Sequence, residues 1–312
     1  MKIIRAPLRI SLFGGGTDLD PFCSKYGSTI ISFAIDRYMY LTWNPRPTGG
    51  CRLSYSTVEE LDTLKDAEHT LVRETARTFG IDEPCTLTIV SDVPKGTGLG
   101  SSSALAVCLV KLARGSLASG LGAVARAAKI ESACSRAGWQ DYLPAVFGRF
   151  NTYHIPGGWV LPAEGFLTLL PSHLSALINT HGLLLYTGAT RKADDVLPSW
   201  QKSESQLHQI KALADEVAEH INGLSPKDLG TYLNLTWELK RDIPGVTTPA
   251  LNTQYALAML NGALGGKLCG AGSGGCWFFL VPPDDRERVK SALGLTEIPF
   301  QIAEKGVETW EL

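Results

Sequence analysis

Three glycine-rich stretches constrain this chain more than any other feature of its sequence. They are "FGGGTDLD" (13–20), "SDVPKGTGLGSSSALAV" (91–107) and "GGKLCGAGSGGCWFF" (265–279). Glycine lets a backbone turn sharply and come close to a ligand, because it has no Cβ atom. A turn explains one such stretch, whereas three in one chain indicate backbone approaching a ligand from several sides.

The middle stretch has the order strand, glycine loop, helix start. A strand is predicted over 86–93, and Ser101 begins a helix predicted over 101–115. The free N–H groups and the dipole at a helix start favour an anion, so the loop suits a phosphate group. It has neither the P-loop ending G-K-[ST] nor the pattern G-x-G-x-x-G. Taken alone, it is equally consistent with a tight strand–helix turn that has a serine N-cap.

Two carboxylates downstream of this loop are candidates for chemistry. Glu131 lies on the alanine-rich, apolar face of a helix predicted over 121–138, where a carboxylate is costly to bury unless it is paired or bound to a cation. Asp141 follows the end of that helix, which we place at Gly138 as the C′ residue. By themselves, Glu131 is interpreted as a partly exposed helix charge and Asp141 as a helix cap.

The remaining pattern predicts a mixed α+β protein whose strands and helices are partly segregated. The 312 residues fit two domains, 1–170 and 171–312. Thr17 or Asp18 is predicted to cap a helix in the first glycine stretch. A helix-rich stretch runs to about residue 265. The other predicted elements are strands over 1–13 (with a break at Pro7), 28–35, 37–44, 166–170 and 181–188, a helix over 67–80, strands over 266–273 and 275–281, a helix over 284–294 and a strand over 300–312.

Composition and charge exclude several classes of function. Hydrophobic residues make up 44% and charged residues 19% of the chain, as in ordinary globular proteins. The net charge of −2 and the lack of a basic tract argue against nucleic acid as a partner. No apolar run approaches the roughly 20 residues of a membrane span, and no signal peptide is indicated. The seven scattered cysteines are interpreted as reduced thiols, so a cytoplasmic protein is predicted.

Together the three stretches resemble the motifs of the GHMP kinases, a family named after its galacto-, homoserine, mevalonate and phosphomevalonate kinases. "APLRISLFGGGTD" (6–18) resembles the first motif, "VPKGTGLGSSSA" (93–104) the second, which binds ATP phosphates, and "LCGAGSGGC" (268–276) the third. The resemblance covers essentially the whole chain. It implies an N-terminal domain like domain 2 of ribosomal protein S5 and a ferredoxin-like C-terminal domain.

Finer features resemble the D-glycero-D-manno-heptose 7-phosphate kinases and related kinases that phosphorylate the anomeric oxygen of a sugar. Among them are "AIDRYMYL" (34–41), "LLLYTGATRKADDVL" (183–197) and "WELKRDIPGVTTPALN" (237–252). Trp139, before Gln-Asp, departs from that branch's G-G-K-Q-D-Q and is similar to fucose kinases. Ser273 stands where the third motif usually has glycine, and a serine fits there only with a negative φ.

The resemblance implies that ATP and Mg²⁺ are bound, and it assigns residues to both. Ser102 and Glu131 are the implied Mg²⁺ ligands. Asp141 is the implied acceptor of the proton from the sugar hydroxyl, and Arg9 is implied to stabilise charge at the transferred phosphoryl group or to orient Asp141. The implied nucleotide-binding residues are Pro94, Gly96, Gly98, Leu99, Gly100, Ser101, Ser102 and Ser103 of the second motif, with Gly270, Gly272 and Gly274 of the third.

The resemblance also implies a sugar-binding set. Galactokinase-like enzymes carry Glu-His where this chain has Gly15-Gly16, which argues against galactose and opens space for a different or larger substrate. Arg191 and Lys192 are the preferred partners of a substrate phosphate over Arg37, Lys240 and Lys267, because a loop after a strand is a common ligand position. The implied sugar-binding residues are Gly15, Gly16, Thr17, Asp18, Trp139 and Arg191.

These features predict an ATP-dependent sugar 1-kinase, acting on a heptose 7-phosphate or a similar sugar. One alternative is a kinase for another sugar such as L-fucose. A second is a catalytically inactive family member that serves as a ligand sensor, which should lack Ser102, Glu131 or Asp141. A nucleotide-binding protein unrelated to the family is the third and most remote. The partner is predicted to be a small molecule, with no nucleic acid or membrane, and the chain to be a monomer or homodimer.

Overall fold

The computed structural model of the chain describes residues 1–115, 120–135, 137–158, 166–190 and 196–312. The strands are β1 (Lys2–Phe13), β2 (Ser28–Pro45), β3 (Cys51–Ser54), β4 (Val58–Leu61), β5 (Cys85–Ser91), β6 (Phe150–Ile155), β7 (Leu167–Leu169), β8 (Gly182–Tyr186), β9 (Gly265–Leu268), β10 (Cys276–Leu280), β11 (Thr296–Glu297) and β12 (Glu308–Glu311). The α-helices are α1 (Phe22–Tyr26), α2 (Thr70–Phe79), α3 (Ser101–Arg114), α4 (Gly120–Glu131), α5 (Trp139–Phe147), α6 (Ser172–His181), α7 (Leu197–Gln201), α8 (Glu204–His220), α9 (Pro226–Arg241), α10 (Pro249–Leu260) and α11 (Arg286–Leu293).

The strands form two sheets that divide the molecule into two parts. The larger sheet has the order β12-β1-β2-β5-β3-β4, with β6 paired to β2 and β7 to β6, and the smaller has the order β11-β8-β10-β9. The predicted two-part α+β organisation is therefore confirmed. The last strand, β12, returns to the larger sheet, where Glu311 pairs with Lys2 of β1. The end of the chain thus packs with the first half of the sequence.

Strands β1 and β2 are longer than the sequence predicted. They pair antiparallel from Lys2 to Phe13, and β1 continues through Pro7. An irregularity in register at Pro7 leaves Asp36 and Arg37 of β2 without a counterpart in β1. Proline lacks an N–H donor and is tolerated in a sheet at such irregularities, so it does not end the strand.

Two hydrophobic cores hold these parts together. One lies between the larger sheet and helices α3, α4 and α5, and it extends to one face of β8 and β10 in the smaller sheet. Helix α3 is buried continuously from Ser103 to Val110. The other contains the smaller sheet and α9 and α10. In it the rings of Trp237 and Trp277 meet edge to face at 4.8 Å. The burial of α3 fixes the position of its N-terminus, which is exposed to the space between the two parts.

The segment around Asp141 differs from the prediction. Helix α4 ends at Glu131, and α5 begins at Trp139. Gly138 is the extended N-cap residue of α5 rather than the C′ residue of α4, and Asp141 lies in the first turn of α5. Pro144 is inside α5, and a proline usually interrupts a helix, which hides this helix in the sequence.

The predicted cap of the first helix is also wrong. Helix α1 starts after Pro21 and has no side chain at its N-cap that accepts a hydrogen bond. Asp20 Oδ1 instead accepts a hydrogen bond from the Ser24 N–H at 3.1 Å. Thr17 and Asp18 are buried before the helix and bond elsewhere. In the part of the chain that the structure describes, no helix has the length and apolar character to cross a membrane.

Candidate active site

A cavity of about 540 Å³ lies between the two parts of the molecule. All three glycine-rich stretches contribute to its lining, although they are far apart in the sequence. It is lined by Arg9, Gly15, Gly16, Gly96, Gly98, Gly100, Ser101, Ser102, Ser103, Glu131, Asp141, Gly270, Gly272 and Gly274, together with residues described below.

Glycines of the second and third stretches let two backbones touch. A Cβ atom at Gly98 would lie 2.5 Å from the carbonyl oxygen of Cys269, and one at Gly270 would lie 2.6 Å from the Cα atom of Gly98. Real Cβ atoms do not approach so closely, so a side chain at either position would push the segments apart. Part of the glycine pattern therefore serves the contact between the two halves, rather than the approach to a ligand.

The second glycine stretch ends at the N-terminus of α3, which opens on the cavity. The N-cap residue is Gly100, with φ 75°, and no side chain caps the helix. The serine N-cap, which was the alternative to a phosphate loop, is therefore absent at this helix. The first N–H groups of a helix have no acceptor within it and favour an anion together with the helix dipole. The geometry suits the phosphates of a nucleotide.

Arg9 of β1 ties this loop to Asp141. Its main-chain N–H donates to the Leu99 carbonyl at 3.0 Å, and Nη1 donates to the Gly98 carbonyl at 2.6 Å. Nε donates to Asp141 Oδ1 at 2.9 Å, and Nη2 donates to the same oxygen. The Arg9 side chain is 4% exposed and that of Asp141 16%. Because Arg9 holds one carboxylate oxygen, the carboxyl group of Asp141 is fixed at the cavity wall.

Glu131 is a buried carboxylate, 1% exposed, that nevertheless lines the cavity. It accepts hydrogen bonds from Ser103 Oγ at 2.7 Å and from Ser135 Oγ at 3.4 Å. Burial raises its pKa, while hydrogen bonding to Ser102 and Ser103 opposes that shift. The earlier interpretation of Glu131 as a partly exposed helix charge is wrong.

The surroundings of Glu131 suit a ligand of Mg²⁺. Glu131 has no ion pair with a basic side chain among the described residues, and the hydroxyl group of Ser102 lines the same cavity. Mg²⁺ takes hard oxygen ligands and usually only one or two of them from the protein. Within the described ranges no cluster of three His, Cys, Asp or Glu side chains could hold a metal. One carboxylate and one hydroxyl oxygen at this wall are of the kind and number of ligands that Mg²⁺ takes from a protein.

Asp18 lies beside the cavity rather than on its lining. It is 2% exposed, and its oxygens accept hydrogen bonds from the N–H of Gly16 at 2.9 Å, the N–H of Gln140 at 2.9 Å and Gln140 Nε2 at 3.2 Å. Burial, and secondarily the charge of Asp141, raise the pKa of Asp18 to about 6. Asp18 thus joins the first glycine stretch to the start of α5.

Two side chains of this chain lie close to Gly15 and Gly16. A Cβ atom at Gly16 would lie 2.2 Å from the ring of Trp200, and one at Gly15 would lie 2.7 Å from Gln140 Oε1. Trp200 is 3% exposed, and its Nε1 donates to the Ala271 carbonyl at 3.0 Å. A side chain at Gly16 would therefore overlap the ring of Trp200, whereas both glycines line the cavity. That they open space for a larger substrate stays a prediction.

Other predicted residues are placed near the cavity without lining it. Thr17 is fully buried and donates from Oγ1 to the Gly14 carbonyl at 2.7 Å. Trp139 packs partly buried against the first core, and Leu99 is fully buried. Pro94 is exposed. Arg191 and Lys192 lie outside the residues that the structure describes.

Among the side chains that line the cavity but were not assigned to the site from the sequence are Gln140, Trp200, Lys240 and Lys267. Gln140 is next to Asp141 in the sequence, and this position could have indicated that it belongs to the site. The two lysines were considered for a substrate phosphate but placed below Arg191. Trp200 lies in a segment that carries no motif, and only the fold brings it to Gly16.

Comparison with protein families gives two matches. Residues 65–149 match the N-terminal domain of the GHMP kinases, and residues 212–296 match the C-terminal domain of the same family. Together the matched ranges cover more than half of the 312 residues.

Two curated proteins illustrate the similarity. The chain is 29% identical to the D-glycero-alpha-D-manno-heptose 7-phosphate kinase of Campylobacter jejuni, over 100% of both proteins. It is 25% identical to the L-fucokinase/L-fucose-1-P guanylyltransferase of Bacteroides fragilis, over 94% of this chain and 36% of that protein.

Solved structures share the fold. A D-glycero-D-manno-heptose 1-phosphate kinase from Bacteroides thetaiotaomicron superposes with a TM-score of 0.81 at 22% identity, covering 100% of this chain and 99% of that one. A putative sugar kinase from Campylobacter jejuni superposes with a TM-score of 0.75 at 25% identity, covering 100% and 98%.

Proposed function

The chain belongs to the GHMP kinases, and we propose on that premise that it transfers the γ-phosphoryl group of ATP to the anomeric hydroxyl of a sugar. The proposed acceptor is D-glycero-D-manno-heptose 7-phosphate or a similar sugar phosphate. The observation that carries the proposal is the Arg9–Asp141 pair, which lines the same cavity as the N-terminus of α3. A base and a phosphate cradle that face one space are what phosphoryl transfer to an alcohol requires.

The nucleotide phosphates are assigned to the second glycine stretch and the first turn of α3. The unpaired N–H groups there supply donors whose positions are fixed before the ligand arrives, because the helix is buried. Glu131 and Ser102 would hold Mg²⁺, which when bound neutralises phosphate charge. The third glycine stretch lines the same cavity through Gly270, Gly272 and Gly274.

Asp141 is assigned the role of general base. In the proposed step the sugar oxygen forms a bond to the γ-phosphorus, the bond between that phosphorus and the bridging oxygen of ADP breaks, and the hydroxyl proton passes to Asp141. Arg9 holds Asp141 Oδ1 through two N–H groups, so the carboxylate is oriented before the substrate binds. An anomeric hydroxyl is more acidic than an ordinary alcohol, which reduces the mismatch with an aspartate base.

The choice of acceptor rests on similarity and on the site. The chain aligns over its whole length with a protein named as a heptose 7-phosphate kinase. The similarity to an L-fucokinase is spread over 94% of the chain, which keeps a six-carbon sugar as the second candidate. An inactive ligand sensor is disfavoured because Ser102, Glu131 and Asp141 are all present and line one cavity.

A substrate screen tests the proposal. Purified protein is incubated with ATP, Mg²⁺ and one sugar at a time, comprising D-glycero-D-manno-heptose 7-phosphate, the free heptose, L-fucose, galactose and mannose. ADP formation is followed, and the position of the new phosphate is read by phosphorus NMR. We expect the heptose 7-phosphate to be converted to a 1,7-bisphosphate. Equal turnover of the free heptose would reject the phosphorylated acceptor, and ADP formation with none of the sugars would reject the sugar kinase.

A further inference from the structure

Two buried lysines line the cavity next to Arg9. Lys240 of α9 and Lys267 of β9 are each 4% exposed. Lys240 Nζ donates to the carbonyl oxygens of Leu268 and Gly270, both at 2.6 Å. Neither lysine makes an ion pair with a carboxylate within the described ranges of the chain. The hydrogen bonds of Lys240 Nζ thus go to main-chain carbonyls, and no carboxylate among the described residues offsets its charge.

Lys267 has the fewer bonds of the two. Its Nζ donates to the Leu12 carbonyl at 3.0 Å, where the pairing of β1 with β2 is irregular. An ammonium group has three N–H donors, so two remain on Lys267. On Lys240 one remains. The ring of Trp200, 5.7 Å from Lys240 Nζ, forms the cavity wall beside it.

The surroundings of the two lysines disfavour their protonated forms in the absence of an anion. Burial lowers the pKa of Lys267 to about 8, and it lowers that of Lys240 well below its ordinary value. The positive charge of Arg9 further lowers the pKa of both lysines, and the charge of Lys267 further lowers that of Lys240. The charge of Asp18 favours protonated Lys267, but the oxygens of Asp18 already accept amide hydrogen bonds.

Burying a cation without a counter-ion is costly, and buried charges in proteins are normally paired. The unused donors of Lys240 and Lys267 and the cavity that both lysines line supply a place for the missing anion. Arg9 is paired with Asp141, and Lys95, which also lines the cavity, is exposed to solvent. Lys240 and Lys267 are therefore the buried cations of the described lining that have no carboxylate partner. A phosphoryl group, with several acceptor oxygens and up to two charges, matches two ammonium groups as point charges.

We propose that Lys240 and Lys267 form an anion subsite that binds a phosphoryl group at the end of the cavity nearest Arg9. The inference rests on the proposed function for the identity of the ligand. The phosphoryl group has two possible sources, the γ-phosphoryl group of ATP and a phosphate carried by the sugar. Either way the subsite is formed by α9 and β9, and Lys240 bonds the carbonyl of Gly270, the residue whose backbone touches Gly98 of the second glycine stretch.

Binding of matched ligand pairs to charge-removal variants tests the subsite. Lys267→Met and Lys267→Gln remove the charge, and the glutamine retains a donor for the Leu12 carbonyl. Lys240→Met removes the charge of the second lysine. The control is Lys227→Met, an exposed lysine on the same helix as Lys240 and away from the cavity. Calorimetry measures Kd for ADP against a non-hydrolysable ATP analogue, for free heptose against heptose 7-phosphate, and for inorganic pyrophosphate.

We expect the lysine variants to weaken the phosphate-bearing member of one pair by about 10-fold to 100-fold, as for the loss of a charged hydrogen bond. A loss confined to the ATP analogue assigns the subsite to the transferred phosphoryl group. A loss confined to the heptose 7-phosphate assigns it to the substrate phosphate. Unchanged ratios in both pairs, equal to those of Lys227→Met, overturn the inference.

Two further readouts separate the possible failures. A purely structural lysine would lower the melting temperature and leave the affinity ratios unchanged, so thermal melts of each variant accompany the titrations. If no sugar is turned over but pyrophosphate binding is weakened in the Lys267 variants, the proposed function fails and the subsite stands. If the heptose 7-phosphate is turned over and every ratio is unchanged, the subsite alone fails.

Discussion

The two walls of the cavity differ in the partners of their charged side chains. On the N-terminal wall, defined by Arg9, Ser102, Glu131 and Asp141, each charged group has a side-chain partner, such as the Arg9–Asp141 pair and the hydroxyl donors to Glu131. On the C-terminal wall, defined by Lys240, Lys267 and the third glycine stretch, the two lysines donate hydrogen bonds to main-chain carbonyls. Within the described residues neither lysine has a carboxylate partner.

The difference indicates which part of the site is assembled before a ligand binds. Side-chain partners orient the groups of the N-terminal wall in the empty protein, as expected of groups that must be in place for proton transfer. The lysines of the C-terminal wall keep unused N–H donors, and an anion would relieve the repulsion between their positive charges and that of Arg9. We therefore assign orientation of the reacting groups to the first wall and recognition of ligand charge to the second.

Replacement of Asp141 is expected to cause the largest loss of activity among the variants of the N-terminal wall. Asp141→Asn preserves the shape of the side chain and an oxygen for Arg9, but it removes the base. We expect kcat with the accepted sugar to fall by about 10²-fold to 10⁴-fold with little change in the melting temperature. The exposed Asp62→Asn is the matched control. Unchanged turnover in Asp141→Asn would show that another group accepts the proton.

Replacement of Glu131 separates metal binding from folding. Burial raises the pKa of Glu131, so its charged form is disfavoured in the native state and lowers stability at neutral pH. Glu131→Gln removes that charge, and we expect the melting temperature without Mg²⁺ to stay equal or rise by a few degrees. Turnover should fall by about 10²-fold, with a higher Mg²⁺ concentration needed for half-maximal rate.

The Mg²⁺ titration decides the role of Glu131. The matched control is Glu219→Gln, an exposed residue of α8. If Glu131→Gln lowers turnover without changing the Mg²⁺ dependence, the carboxylate does not ligate the metal. In that case its hydrogen bonds to the serines of α3 would be its contribution to the N-terminal wall.

The N-terminal wall was largely predictable because its signals are local. A helix predicted over 101–115 is found at Ser101–Arg114, since the glycine loop and the serine run mark its start unambiguously. The helix that carries Asp141 was missed because Pro144 interrupts its pattern. The sequence gives the residue types here, whereas the direction in which each side chain points depends on the packing of α3, α4 and α5.

The C-terminal wall was less predictable because distant segments form it. Lys240 and Lys267 are separated by α10 in the sequence, and nothing in either segment shows that both lysines face one cavity. Trp200 lies close to Gly16, although nothing in the first glycine stretch predicts this contact. The glycine pattern predicts close approach at Gly98, but it does not tell whether a ligand or another backbone approaches.

The pH dependence of the free energy of unfolding tests the role of Asp18, which joins the first glycine stretch to the start of α5. The folded pKa of about 6 lies above the unfolded value of about 3.9, so the native state binds the proton more tightly. Stability is therefore expected to fall as pH rises from about 4 to about 6, by roughly 2–3 kcal/mol. Urea denaturation at intervals of half a pH unit measures this slope.

Asp18→Asn identifies the group responsible for that slope. The charged neighbours of Asp18 are Asp141, which raises its pKa, and Lys267. The variant has no titrating group at this position, so we expect the loss of stability between pH 4 and 6 to diminish. Asp62→Asn should retain it. An unaltered slope in Asp18→Asn would show that Asp18 is already ionised at the lower pH.

The smallest expected effect concerns Ser273, in the third glycine stretch. The sequence required a negative φ for a serine here, but the structure gives φ 64°, with the N–H donating to the Val246 carbonyl at 2.6 Å. A left-handed backbone costs a residue with a Cβ atom about 1 kcal/mol, whereas glycine adopts it freely but loses more entropy on folding. We expect Ser273→Gly to raise stability by at most about 1 kcal/mol in urea denaturation, with Ser273→Ala no more stable than the wild type. A less stable Ser273→Gly would show that the serine side chain offsets the backbone strain and helps to fix the C-terminal wall.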